Sequence, residues 1–205
     1  MSKSSKAWLY AHHRDPYVLQ ARQEGYRSRA AYKLKELLSI HPLLKPGMWV
    51  ADLGAAPGGW SQVVSERLQG HGRCIAVDLL SMETIGDPVT FIQGDFTQEE
   101  IQQKILEHLE NRQFDLILSD MAPNFSGIKD LDHDRSIVLV EEALVFADAF
   151  LKPQGSFLVK LFSGAALASL KKDMQNRFKM VKWLKPKASH RDSAELYVLG
   201  IGKKS

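Results

Sequence analysis

One run of residues restricts this chain more than any other. Met48-Trp49-Val50-Ala51-Asp52-Leu53 reads as a strand, Gly54 to Gly59 as a tight turn, and Trp60 to Leu68 as a helix. A strand that opens through glycines into a helix is the first half of a parallel crossover, and the rest of the chain repeats the alternation. Strands are expected at residues 73–78, 89–92, 114–120 and 155–162. The spacing of Ala30, Leu34, Leu37 and Leu38 predicts a helix over residues 28–38. A helix containing Ile101, Ile105, Leu106 and Leu109 is expected after Thr97, read as its cap, and others over residues 135–151 and 164–176. Two last strands, near residues 179–184 and 194–201, are joined only by Lys185 to Ser193, too short for a parallel crossover, so they should pair antiparallel. The expectation is α/β: a Rossmann-like, mostly parallel seven-stranded sheet with an antiparallel C-terminal strand and helices on both faces. No repeat or linker divides it, so residues 1–205 are read as one domain, with residues 1–27 as a basic N-terminal arm.

Charge is unevenly placed. Residues 1–35 carry eight Lys/Arg against Asp15 and Glu24, and residues 171–205 carry ten against Asp173, Asp192 and Glu195. The middle of the chain is acidic. If the two basic ends meet, they form a face suited to phosphate backbones; if they do not, they are solvated termini. The single cysteine, Cys74, excludes an internal disulfide framework or a multi-cysteine metal site. No stretch reaches the roughly 18 apolar residues of a membrane span, and the N-terminus lacks a secretory signal's apolar core. A cytoplasmic protein without a membrane partner is expected.

The turn itself points to a ligand. In open α/β sheets, ligands sit at the carboxyl ends of the strands beside the point where strand order reverses. A dinucleotide fingerprint would need Gly at position 56, where this chain has Ala, and Pro57 removes an N–H that a pyrophosphate could use. Asp78 ends the second strand, where a carboxylate commonly accepts ribose hydroxyls. Asp95, after the third, could take an adenine amine. Each acid alone could simply start a turn. Together they fit a nucleoside ligand without phosphates, of which S-adenosylmethionine is one.

Charged residues also stand where a strand should be apolar. Lys160 lies within Leu158-Val159-Lys160-Leu161-Phe162, so its ammonium must find an edge, a partner, a substrate or solvent. Asp120 closes the fourth strand and Glu195 opens the last. An antiparallel last strand starts at the edge where its parallel neighbours end, which brings Asp120, Lys160 and Glu195 together. Lys33 joins them if its helix covers that edge; otherwise it pairs with Glu36 on the helix surface. Two lysines and two carboxylates beside a methyl donor suggest methylation of a ribose 2′-hydroxyl. Lys160, as the neutral amine, is expected to serve as general base. Asp120 orients it, and Lys33 and Glu195 hold the ribose and tune the charge.

Taken jointly, Arg27-Ser28-Arg29-Ala30 with Lys33-Leu34, Asp52 through Gln62, Ser119-Asp120-Met121-Ala122-Pro123-Asn124, Lys160 with its strand, and Ser193-Ala194-Glu195-Leu196-Tyr197 resemble a known family. It is the FtsJ/RrmJ-type ribosomal RNA 2′-O-ribose methyltransferases, and the resemblance runs from about Trp8 to Gly202. It implies a Rossmann-like S-adenosylmethionine-dependent methyltransferase fold and a Lys-Asp-Lys-Glu tetrad at Lys33, Asp120, Lys160 and Glu195. It further implies cofactor contacts at Gly58, Trp60, Asp78, Asp95 and Asp120. The implied substrate is a uridine ribose in the peptidyl-transferase region of 23S rRNA, methylated within the assembled large ribosomal subunit by a monomer. Residues 128–134 are more acidic than the family leads one to expect.

That acidic stretch imitates a calcium loop, with Asp130, Asp132, Asp134 and Glu141 at positions 1, 3, 5 and 12. The sixth position, normally Gly, is Arg135. An acidic helix N-terminus explains the same residues, and the seven histidines form no zinc spacing, so no metal is expected. Other readings are a methyltransferase of transfer RNA or capped messenger, a non-catalytic RNA-binding ribosome assembly factor on the same scaffold, and a nicotinamide oxidoreductase.

Overall fold

The computed structural model describes residues 15–123, 126–164, 167–189 and 193–205, with the side chains of residues 129 and 130 outside that set. Thirteen elements occur among the described residues: α1 (Pro16–Glu24), α2 (Ala30–Ile40), β1 (Trp49–Leu53), α3 (Gly59–Leu68), β2 (Arg73–Asp78), β3 (Val89–Gln93), α4 (Glu99–Leu109), β4 (Phe114–Ser119), α5 (Lys129–Phe150), β5 (Leu151–Phe162), α6 (Leu167–Arg177), β6 (Phe178–Leu184) and β7 (Glu195–Lys203). The strands form one sheet in the order β3-β2-β1-β4-β5-β7-β6. β1 to β5 run parallel, and β7 runs antiparallel to both β5 and β6. Strand order reverses between β1 and β4, at the glycine turn.

Side chains alternate between the two faces, as a pleated strand requires. Ala51, Leu53, Ile75, Ile117, Val159 and Leu161 pack against α4, α5 and α6. Val50, Cys74, Leu116, Leu118, Leu158 and Tyr197 pack on the other face against α1, α2 and α3. That parity matters for the site: Lys160 and Glu195 share the register class of Leu158 and Tyr197, and so belong to the α1–α3 face.

Several boundaries differ from the sequence expectation. α5 begins six residues before position 135. Its first turns are acidic, and Asp132 folds back to accept hydrogen bonds from Ser126 N–H (2.7 Å), Ser126 Oγ (2.8 Å) and Gly127 N–H (3.0 Å). This closes the preceding loop, and carboxylates there complement the helix dipole. β5 starts at Leu151 rather than 155, pairing with Phe114 ahead of a bulge. Thr97 does not cap α4: Gln98 precedes that helix without a side-chain cap bond, while Thr97 bonds Asp95. Residues 1–14 of the basic arm lie outside the described residues; residues 16–24 form α1, capped by the Asp15 carboxylate through Tyr17 N–H at 2.8 Å.

Candidate active site

The glycine turn shapes a cavity of about 870 Å³ at the carboxyl edge of the sheet. Gly54 (φ +75°) and Gly58 (φ +111°) adopt backbone that side chains disfavour. A Cβ on Gly54 would lie 2.4 Å from Met121 Cγ, and one on Gly58 would lie 2.8 Å from Met82 Sδ and 3.0 Å from Arg27 Nη1. Arg27 straps the turn by donating to the carbonyls of Glu83 (2.6 Å), Thr84 (2.9 Å) and Pro57 (3.3 Å).

Asp78, Asp95 and Asp120 line the cavity; the Gly58 and Trp60 expected beside them do not. The Trp60 indole is buried, donates to the Ala30 carbonyl at 2.8 Å and stacks on Tyr197. Any contact from Trp60 to a ligand would therefore come from its main chain. Asp78 receives N–H bonds from Ala56 (2.9 Å) and Leu80 (2.8 Å), which tie the ends of β1 and β2 together. Asp95 accepts the Thr97 N–H (2.9 Å) and hydroxyl (2.7 Å); burial opposes its charge, but these donors prevail and hold its carboxyl below the usual range. The far wall comes from α5, through Arg135, Val138, Leu139 and Glu142. Four acids and one arginine line the cavity. Such a donor set suits a cationic nucleoside better than a pyrophosphate.

Beside the cavity, four charged side chains meet. Lys160 Nζ donates to the Asp120 carbonyl at 2.6 Å and lies 3.1 Å from Asp120 Oδ1. Lys33 Nζ pairs with Glu195 Oε2 at 2.7 Å. Lys33, Lys160 and Glu195 are only 7–8% exposed, so neither the solvated lysine nor a surface Lys33–Glu36 pair describes them. Glu36 instead accepts the backbone N–H groups of Lys187 and Ala188. Asp120 borders both the cavity and this cluster. Its Oδ1 also accepts the hydroxyl of Tyr197 at 2.7 Å, a contact that sequence reasoning missed although Tyr197 shares Glu195's face of β7. Burial works against the Glu195 charge, but Lys33, Ser189 and Lys160 hold its carboxyl below the ordinary range. Arg29, the residue before α2, pairs with Asp15 and faces Glu195.

Asp52 lies fully buried under the turn, accepting the Ser61 hydroxyl on Oδ2 at 2.6 Å, with Oδ1 unpartnered. Burial, with the nearby Asp120 and Asp78 charges, outweighs the Ser61 bond and pushes its pKa up to about 7. A carboxyl raised in the folded state binds its proton more tightly there than in the unfolded chain. Folding stability is therefore lost as pH rises from about 4 to about 7, and the loss is constant above that. Asp52→Asn keeps the Ser61 acceptor without the charge. Its stability relative to the native chain should increase by about 2–3 kcal/mol between pH 5 and pH 8. Urea unfolding at both pH values checks this, and parallel profiles would refute it.

Of the calcium-like positions, Asp132 is occupied by Ser126 and Gly127, and the Asp130 side chain lies outside the described residues. No group of three potential ligands occurs among the described residues.

An open sheet with its cavity at the strand-order reversal and a closing antiparallel strand defines a Rossmann-like methyltransferase fold. A model of FtsJ-like methyltransferases matches residues 26–203. The ribosomal RNA large subunit methyltransferase E of Pseudomonas fluorescens is 49% identical over 201 residues, covering 98% of this chain and 96% of that protein. Its namesake from Alcanivorax borkumensis is 50% identical over 203 residues, covering 99% and 97%. A crystal structure described as a ribosomal RNA methyltransferase of Plasmodium falciparum aligns with a TM-score of 0.79 at 32% identity, over 87% of this chain and 98% of its own. This chain belongs to the FtsJ-like methyltransferase family.

Proposed function

We propose that the protein methylates the ribose 2′-hydroxyl of a uridine in 23S rRNA, using S-adenosylmethionine and acting on the assembled large ribosomal subunit as a cytoplasmic monomer. The relatives named for large-subunit ribosomal RNA support the substrate class. No described helix is long and apolar enough to cross a membrane. The observation that carries the reading is Lys160, buried in a strand and held on Asp120 at the rim of an acid-lined nucleoside cavity.

When bound, S-adenosylmethionine would supply a methyl carbon that accepts the oxygen's electron pair while the carbon–sulfur pair leaves on sulfur as a neutral thioether. Asp78 and Asp95 are the groups to hold its ribose and adenine amine. Asp120 spans both halves of the site. Two of the Lys160 amine valences are directed at Asp120, one to the carbonyl and one to the carboxylate. The third is thereby fixed in direction, and in the neutral amine it carries the lone pair. Lys160 accepts the hydroxyl proton as the oxygen attacks, while Lys33 and Glu195 hold the ribose. Base catalysis contributes about 10²–10⁴-fold, and alignment of the reacting groups adds to it.

The test uses large ribosomal subunits from cells lacking the protein, incubated with methyl-labelled S-adenosylmethionine and then digested to nucleosides. Label in 2′-O-methyluridine is expected. Label on a base, on transfer RNA only, or nowhere would overturn the reading.

A further inference from the structure

Both carboxylate oxygens of Glu195 are held, and by different parts of the chain. Oε2 takes Lys33 of α2; Oε1 accepts the hydroxyl of Ser189 at 2.6 Å. Ser189 is 6% exposed and sits in the connection between β6 and β7, in a turn closed by its own N–H bond to the Pro186 carbonyl at 3.1 Å. That turn is fastened to α2 by Glu36, one helical turn beyond Lys33, whose two oxygens accept Lys187 N–H at 3.0 Å and Ala188 N–H at 3.3 Å. The contacts form a closed circuit: α2 supplies Lys33 to one side of Glu195 and, through Glu36 and the turn, Ser189 to the other. With Lys33 alone, the carboxylate could rotate about its last torsion, which is broad and weakly constrained. Two donors on separate oxygens fix its plane.

We propose that Ser189 is a positioning residue for methyl transfer, holding the Glu195 carboxylate in its working orientation, and that Glu36 acts through it by pinning the 186–189 turn. The inference deepens the function proposed above and rests on it, because it takes Glu195 and Lys33 as part of the reacting set.

Ser189→Ala should slow single-turnover methyl transfer to undermethylated large subunits about tenfold, the effect of losing one charge-assisted hydrogen bond in the reacting geometry. Affinity for S-adenosylmethionine should stay within about twofold, since Ser189 does not line the cavity. The groups facing Glu195 are Lys33 of α2, Arg29 just before that helix, Lys160 of β5, Ser189 and Tyr197. The loss should fall on the transfer rate at saturating donor and subunits and leave subunit affinity within about twofold, a split that mere loosening of the turn would not produce. Ser189→Thr, which keeps the hydroxyl, should restore the rate. Glu36→Ala should lose activity in the same direction, and the double variant should be no slower than Ser189→Ala, because the two residues act in series.

A native rate in Ser189→Ala overturns the inference, as do a loss confined to subunit affinity and independent, multiplying losses in the double variant. Lys160→Ala separates the two levels. If it is inactive while Ser189→Ala is unimpaired, only the Ser189 role fails; if it keeps the native rate, the chemistry fails and Ser189 falls with it.

Discussion

Lys160→Ala should bind S-adenosylmethionine like the native chain yet transfer methyl groups about a thousandfold more slowly in a single turnover. The amine is buried in β5 and meets the cavity through Asp120, to whose carbonyl and carboxylate it is held. Truncation removes the proton acceptor without reshaping the nucleoside cavity, whose lining omits Lys160. Leu158, Val159 and Leu161 keep the strand packed on both faces, so the fold survives. The loss should appear in the rate at saturating donor and not in donor affinity, the pattern of an interaction made at the transition state. A variant that instead loses donor binding, with normal transfer at saturation, would remove Lys160 from the chemistry.

Gly54→Val should weaken donor binding about 30- to 100-fold. The residue sits at φ +75°, where a β-branched side chain is strained by about 1–3 kcal/mol, strain the turn relieves by shifting away from the shape that receives the donor. Its Cβ would also fall 2.4 Å from Met121 Cγ and 3.3 Å from Met121 Cα, so relief requires moving the chain after β4 and not only a side-chain tip. Gly54 and Met121 both line the cavity, and the displacement narrows it. Each 1.4 kcal/mol is tenfold in affinity. Titration of the folded variant with S-adenosylmethionine reads the effect directly, and affinity within about threefold of native would show that the turn tolerates a side chain.

The layout of the sheet was legible because its signals are local and periodic. A lysine in the apolar stretch 158–162, and a connection too short for a crossover before Glu195, together place three of the four charged residues on one edge. The structure adds the face: strand parity puts Lys160 and Glu195 toward α2, where Lys33 meets them. What sequence concealed depends on tertiary contact. Trp60 stands in the glycine turn's helix, but its ring turns inward onto Tyr197 and Ala30. The α5 wall of the cavity could not be foreseen from a helix whose apolar residues fall on more than one face, with Val138 and Val145 exposed, since such a helix has no distinct buried stripe. Asp132 made the start of α5 read as loop, because acids at a helix start and acids in a turn look alike in one dimension. Tyr197 and Ser189 carried a weaker signal. Tyr197 is two residues from Glu195 and so shares its face, whereas Ser189 reaches Glu195 only through the turn that Glu36 fastens.

Chemical rescue of Lys160→Ala tests most directly whether an amine at this position takes the ribose proton. Small primary amines added to the variant, with donor and large subunits saturating, should restore transfer, and the restored rate should rise with the concentration of neutral amine and with its basicity. Restoration indifferent to basicity, or none at any amine concentration that leaves the protein folded, would contradict the assignment.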